Sequence, residues 1–287
     1  MLTDTEMMDL ILSVARSDDR VRAVILNGSR ANPNAKKDPF QDYDIVYLVT
    51  DIRSFKQDPD WIDVFGERMI LQLPDDMGSP PPEPHAGYAY LMQFMDGNRI
   101  DLTLYPKGKV NDIIQDSLSV LLLNKDGDLP PLEMASEKSY LPKPPTRKEF
   151  DDCCNEFWWI CPYAAKGLRR GEILYAKYMV DQVLREQLMK MLTWYIGLQT
   201  GYTINPGKFG KHFEKFLPDD LWALLLKTHT DADYERNWKV LEVMGQLFHR
   251  VAVMVAEKYG FSYPELEDER VCKFIKDIED FDDSGEN

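Results

Sequence analysis

Two rhythms of apolar residues divide this chain. Before about residue 140 the apolar positions fall in short alternating or continuous runs, and beyond it they recur at helical spacing over long stretches. Met7, Leu10, Ile11 and Val14 predict an opening helix over 6–15. Strands are expected at 21–26, 42–49, 68–73, 88–95 and 99–105, with one last short strand at 120–123. Asp96-Gly97-Asn98 joins two of them, and Asp-Gly between apolar strands signals a hairpin. Residues 32–40 read as a loop, 61–65 as a short helix or turn, 74–87 as a proline-rich loop, and 110–116 as the start of a helix.

The second half opens with Leu-Pro-Lys-Pro-Pro at 141–145, a linker or rigid crossing. Thr146 with Glu149 three residues on makes a capping box for a helix running toward Gly167. A long amphipathic stretch, kinked or straight, covers 173–200 and ends at Gly201. Further helices are expected from Pro218-Asp219-Asp220-Leu221 and over 234–259; from 265 onward the chain is strongly acidic and its last residues are expected to fray. The fold class is α+β: a mixed-sheet domain over 1–140, then an all-helical domain over 146–280, with a cleft between them as the natural substrate site.

Composition narrows the partners. With 49 Asp and Glu against 34 Lys and Arg, the 287 residues carry a net charge of −15. Such a chain repels polyanions and draws in cations, so no nucleic acid is expected, whereas a cationic small molecule is; acidity that serves only solubility is the plainer alternative. The four cysteines, Cys153, Cys154, Cys161 and Cys272, make no CxxC pair, and the four histidines show no zinc spacing. No apolar run reaches membrane-spanning length and the first residues do not read as a signal segment, so the reducing cytoplasm is expected. The sequence leaves oligomeric state open, with a monomer as the working expectation.

The chemistry lies in the second strand. Asp42 and Asp44 sit two residues apart in Gln41-Asp42-Tyr43-Asp44-Ile45-Val46, so strand geometry puts both carboxylates on one face. Like charges there repel unless a cation holds them, and hard oxygen ligands suit Mg²⁺. Gly28-Ser29-Arg30 closes the first strand with a turn whose backbone donors suit a phosphate. Asp101, in the alternating run Arg99-Ile100-Asp101-Leu102-Thr103-Leu104, would complete a cage of three carboxylates for one or two Mg²⁺. That set suits phosphoryl or nucleotidyl transfer, with Asp101 accepting the proton of the incoming hydroxyl. Each signal alone has a plain reading as a turn, a solvated strand end or an edge charge; their order carries the weight.

Gly28-Ser29-Arg30, Asp42-Tyr43-Asp44 and Asp101 resemble the nucleotidyltransferase fold shared with DNA polymerase beta. The segments MMDLIL, ILNGSRANPN, FQDYDIVYLVTD, DLTLYP, PTRKEFDDCCNEFWW and GEILYAK are similar to the bacterial aminoglycoside 6-adenylyltransferases, over nearly the whole chain. The resemblance implies an antibiotic-resistance enzyme that moves AMP from ATP, its co-substrate, to a hydroxyl of streptomycin with Mg²⁺, releasing pyrophosphate. It implies Gly28 and Ser29 at the nucleotide, Asp42 and Asp44 at the metal, and Asp101 as third carboxylate. Cys161-Pro162 departs from the pattern, and a kink there would reshape the acceptor site. The alternatives are another small acceptor, or a non-catalytic nucleotide-binding partner protein on the same fold.

Two further groups of residues remain. Gly207-Lys208-Phe209-Gly210-Lys211 offers Lys208 and Lys211 to the triphosphate, with Arg30 as a second cation; the plain reading is a cationic loop after a helix. Asp152 and Glu156, four apart on a helix, with Trp159 or Trp194 against a sugar ring, would receive the cationic acceptor; tryptophans in the core are the plain reading.

Overall fold

A computed structural model describes residues 2–80 and 86–281. The expected proline-rich loop therefore lies partly outside the described residues, as does the end of the acidic tail. The chain divides into two compact units, 1–139 and 140–287.

Helix α1 (Asp4–Ser17) opens the first unit with a capping box between Thr3 and Glu6. Strand β1 (Val21–Asn27) runs directly into a single helical turn, α2 (Gly28–Ala31). Then come β2 (Tyr43–Val49), the short α3 (Arg53–Lys56), a 3₁₀ segment Pro59–Phe65, and β3 (Arg68–Gln72). The hairpin β4 (Tyr88–Phe94) and β5 (Arg99–Pro106) turns at Gly97, φ 90°, and β6 (Ser119–Asn124) completes the sheet. The helix expected at 110–116 is instead a 3₁₀ segment, Lys107–Asp112, broken at Lys109 by non-helical φ/ψ.

The sheet order is β3-β4-β5-β2-β1-β6. Every pair is antiparallel except β2–β5, so the sheet is mixed. Alternation sorts its side chains onto two faces. Tyr43, Ile45 and Tyr47 of β2 join Met7 and Ile11 of α1 in one core, where the Tyr47 hydroxyl donates to the Ile11 carbonyl at 2.6 Å. Val46 and Leu48 face the other way, packing with Ala23, Ile25, Ile113, Leu121 and Leu129.

In the second unit α4 (Arg147–Arg169) starts at the Thr146–Glu149 capping box and runs unbroken through Pro162. The stretch after it is one helical run in three pieces: α5 (Ile173–Tyr178), a π turn Met179–Leu184, and α6 (Arg185–Thr200), stopped by Gly201 in the left-handed region at φ 62°. Helices α7 (Asp219–Lys227) and α8 (Tyr234–Tyr259) follow. Phe157 of α4 stacks on Phe248 of α8 at 3.8 Å between centroids, inside a core that also holds Trp158, Leu188, Met191 and Met244.

The acidic segment after 265 is helix α9 (Glu265–Glu279). Its anchor is buried Asp268, which accepts from Tyr263 Oη at 2.7 Å and pairs with His249 Nδ1 at 2.7 Å, while Trp158 Nε1 donates to Tyr263 Oη at 3.0 Å. Val271, Ile275 and Ile278, at helical spacing along α9, pack on the core beside that network, a local signal that the segment's acidity obscured. All four cysteines are free; Cys153, Cys154 and Cys161 are buried. No described helix is long and apolar enough to cross a membrane.

Candidate active site

Asp44 is the one polar residue that β2 directs to the Val46–Leu48 face, at the strand's first turn of alternation. The sheet register extends this position into a polar row. Asp101 of β5 is the partner of Asp44 on one side, Asn27 of β1 on the other, and Ser119 of β6 is the partner of Asn27. Direct partners share a face, so four polar side chains from four strands line up beside the end of β1. Ser119 Oγ donates to Asn27 Oδ1 at 2.9 Å and fixes the far end of the row. Sequence reading missed Asn27 and Ser119, because only pairing reveals which residues of distant strands become neighbours.

Gly28 closes over this row. Its φ is +69°, and a Cβ there would lie 2.0 Å from Asp44 Oδ2. The chain thus needs glycine twice: for the left-handed backbone and for the space. Ser29 follows in α2, where the Gln41 amide reaches its Oγ at 3.3 Å.

Asp42 lies one residue before β2 rather than within it. It remains electrostatically coupled to Asp44 and Asp101. Burial pushes the Asp44 carboxyl up to about 6, and the neighbouring Asp101 and Asp42 charges add to the rise. Burial likewise raises Asp42, opposed by Arg99.

Arg99 is the counter-charge that sequence reading overlooked. Its Nε and Nη2 donate to the two oxygens of Asp101, each at 2.8 Å, and its Nη1 lies 3.7 Å from Asp42 Oδ2. The signal was present: Arg99 and Asp101 are two apart on a strand and must share a face. Among the described residues no three His, Cys, Asp or Glu side chains form a ready-made cation cage. Arg99 bridges two of the three expected carboxylates, Asp101 and Asp42. The donor set still fits a hard cation: all the candidate ligands are carboxylate oxygens, and their mutual repulsion already demands positive charge.

Arg30 has a different setting from the one expected. Its guanidinium donates to the carbonyls of Gln41 at 2.8 Å and Asp42 at 3.0 Å, pairs with Asp4, and stacks on the Tyr43 ring at 3.7 Å. It clamps the entry to β2 onto α1 and so fixes the carbonyl of Asp42.

The other candidates belong to the helical unit. Lys208 and Lys211 are exposed on a tight loop. A Cβ on Gly207 (φ +78°) would meet Lys211 Cβ at 2.9 Å. On α4, Asp152 pairs with Lys148 at 2.5 Å and Glu156 is half-buried. Trp159 is 63% exposed and lies edge-on to Tyr163, with ring centroids 6.5 Å apart. It lines a cavity of about 600 Å³ with Asn155, Pro162, Lys166 and Phe274. Trp194, by contrast, is core, as is Trp158.

The family model for streptomycin adenylyltransferase matches residues 1–278 of this chain. The chain belongs to that family. Among similar proteins, the aminoglycoside 6-adenylyltransferase of Bacillus subtilis (strain 168) is 40% identical over 280 residues, covering 97% of this chain and 98% of that protein. One from Campylobacter jejuni is 39% identical over 276 residues, covering 96% and 95%. A crystal structure of an aminoglycoside 6-adenyltransferase from Bacillus subtilis matches 98% of this chain and 100% of that one at 36% identity, with a TM-score of 0.48. Members of the streptomycin adenylyltransferase family are nucleotidyltransferases, and this chain is an enzyme of that class.

Proposed function

We infer that this enzyme transfers AMP from ATP to a hydroxyl of an aminoglycoside, and that the acceptor is the 6-hydroxyl of streptomycin. The observation that carries the reading is the pairing of Asp44 with Asp101 across β2 and β5, directly under Gly28. Residues 1–140 would carry the transfer chemistry, and 146–280 would supply acceptor and further nucleotide contacts.

The residues divide as follows. Asp42, Asp44 and Asp101 would hold Mg²⁺, which when bound supplies charge neutralisation at the phosphates. Gly28 and Ser29 would face the phosphates, since at Gly28 no side chain stands between backbone and ligand. Asp101 accepts the hydroxyl proton as the acceptor oxygen bonds to the α-phosphorus. The bridging P–O bond breaks, and pyrophosphate leaves with that electron pair. Lys208 and Lys211 are the cations offered to the triphosphate. Arg30 acts earlier, by fixing the main chain at Asp42. Trp159 offers an exposed ring to a sugar, and Glu156 a carboxylate to a guanidinium or ammonium group.

The test is a set of Mg²⁺-dependent reactions with labelled ATP and streptomycin, spectinomycin or kanamycin, with the product located by mass and NMR. AMP on the streptomycin 6-hydroxyl is the expected product. AMP on a different acceptor would keep the chemistry and replace the substrate.

A further inference from the structure

We propose that Arg99 is a built-in cation that stands in for the metal in the ligand-free enzyme and yields its place when nucleotide-bound metal arrives. This rests on the reading of Asp42, Asp44 and Asp101 as the metal site.

Three observations lead there. Arg99 grips Asp101 through two parallel hydrogen bonds of 2.8 Å, using both carboxylate oxygens. Its third nitrogen reaches toward Asp42 at 3.7 Å. The side chain is nonetheless 40% exposed, so it is held by these carboxylates and not walled in by a core. A guanidinium bridging two carboxylates occupies them just as a divalent ion would, but with one positive charge instead of two.

Competition follows from that arrangement. A bare divalent ion must surrender water and also displace Arg99 from Asp101. A metal that arrives on a triphosphate brings phosphate oxygens with it, and these offer the released guanidinium a new bidentate partner. Arg99 therefore holds the carboxylates in place when the site is free, discourages metal without nucleotide, and moves onto phosphate when both are present. A side chain serving only to fix the hairpin end would leave metal affinity unchanged.

The experiment titrates Mn²⁺ into the full chain by electron paramagnetic resonance, with and without α,β-methylene ATP. Wild type, Arg99→Gln, Arg99→Lys and Asp44→Asn are compared. Without nucleotide, Arg99→Gln should bind Mn²⁺ about tenfold more tightly than wild type, since it removes a like charge a few ångströms from the ion. Arg99→Lys, which keeps the charge but not the fork, should fall between. Thermal unfolding in EDTA should show Arg99→Gln less stable than wild type, with Mn²⁺ restoring it. With the analogue present, wild type should gain Mn²⁺ affinity and Arg99→Gln should gain less. Equal or weaker Mn²⁺ binding by Arg99→Gln in the absence of nucleotide would overturn the proposal and leave Arg99 a structural pin. Unaltered Mn²⁺–analogue binding by Asp44→Asn would instead remove the carboxylate site itself. The two failures are thus read from different variants.

Discussion

A Cβ on Gly28 would lie 2.0 Å from Oδ2 of Asp44, so the turn after β1 and the carboxylate of β2 are built against each other. Gly28→Ala should therefore do more than strain a left-handed φ, a cost of about 1–2 kcal/mol. It should also push Asp44 off its position. Turnover should fall by about 100-fold or more, because displacement of about 1 Å at a reacting site has that effect. Steady-state kinetics with a melting curve checks both. A variant of full activity would show that Asp44 has slack.

Asp44 should set a trade-off between stability and chemistry. Its folded-state value of about 6 stands above the ordinary 3.8. Between those values the folded state binds more protons than the unfolded state, so stability falls as pH rises through about 4 to 6 and is level above. Asp44→Asn removes the ionisation. In metal-free buffer at pH 7.5 it should be about 1–3 kcal/mol more stable than wild type, a gain that vanishes near pH 4. It should also lose turnover. Urea titrations at pH 4 and 7.5 measure the difference, and a stability gap of the same size at both would refute the origin in titration.

Asp101→Asn should lower kcat by about 10²–10⁴-fold, far more than it lowers ATP affinity, as expected of a group that takes a proton in the transition state. Weakened ATP binding at constant kcat would make Asp101 part of the nucleotide pocket.

The proposed acceptor contacts are tested by Glu156→Gln and Trp159→Ala. Both side chains are partly or largely open to solvent, so the fold should tolerate either change. KM for the aminoglycoside should rise several-fold, with acceptor binding weakening further as salt increases. Calorimetry of each ligand separates the roles. Loss of ATP affinity with intact acceptor binding would place the acceptor elsewhere.

Lys208→Ala combined with Lys211→Ala should raise KM for ATP and spare the acceptor. Both lysines are exposed, so melting temperature should move little. An unchanged KM for ATP would return the loop to its plain reading, a solvated cationic turn.

Local pattern revealed much of this protein. Strand alternation placed β1, β2, β4 and β5, the Asp96-Gly97 turn located the hairpin, and Thr146 with Glu149 marked the start of α4. These features depend on residues within a few positions of one another, where backbone geometry alone dictates which side chains share a face. The family resemblance, too, was readable in linear segments. What sequence could not supply were contacts made by folding. Asp44 meets Asp101 and Asn27 only through strand register, Arg99, already on the strand face of Asp101, reaches Asp42 only through folding, and Arg30 turns to main-chain carbonyls because α1 and β2 bring Asp4 and Tyr43 around it. Helix α9 was missed although Val271, Ile275 and Ile278 stand at helical spacing and pack on the core of the second unit, because the segment's acidity obscured that stripe; the Asp268 contacts to His249 and Tyr263 appear only on folding. The chain's local chemistry determined which elements form and which residues can react. Tertiary pairing decided which of them meet, because desolvation and partner geometry arise only when distant segments pack.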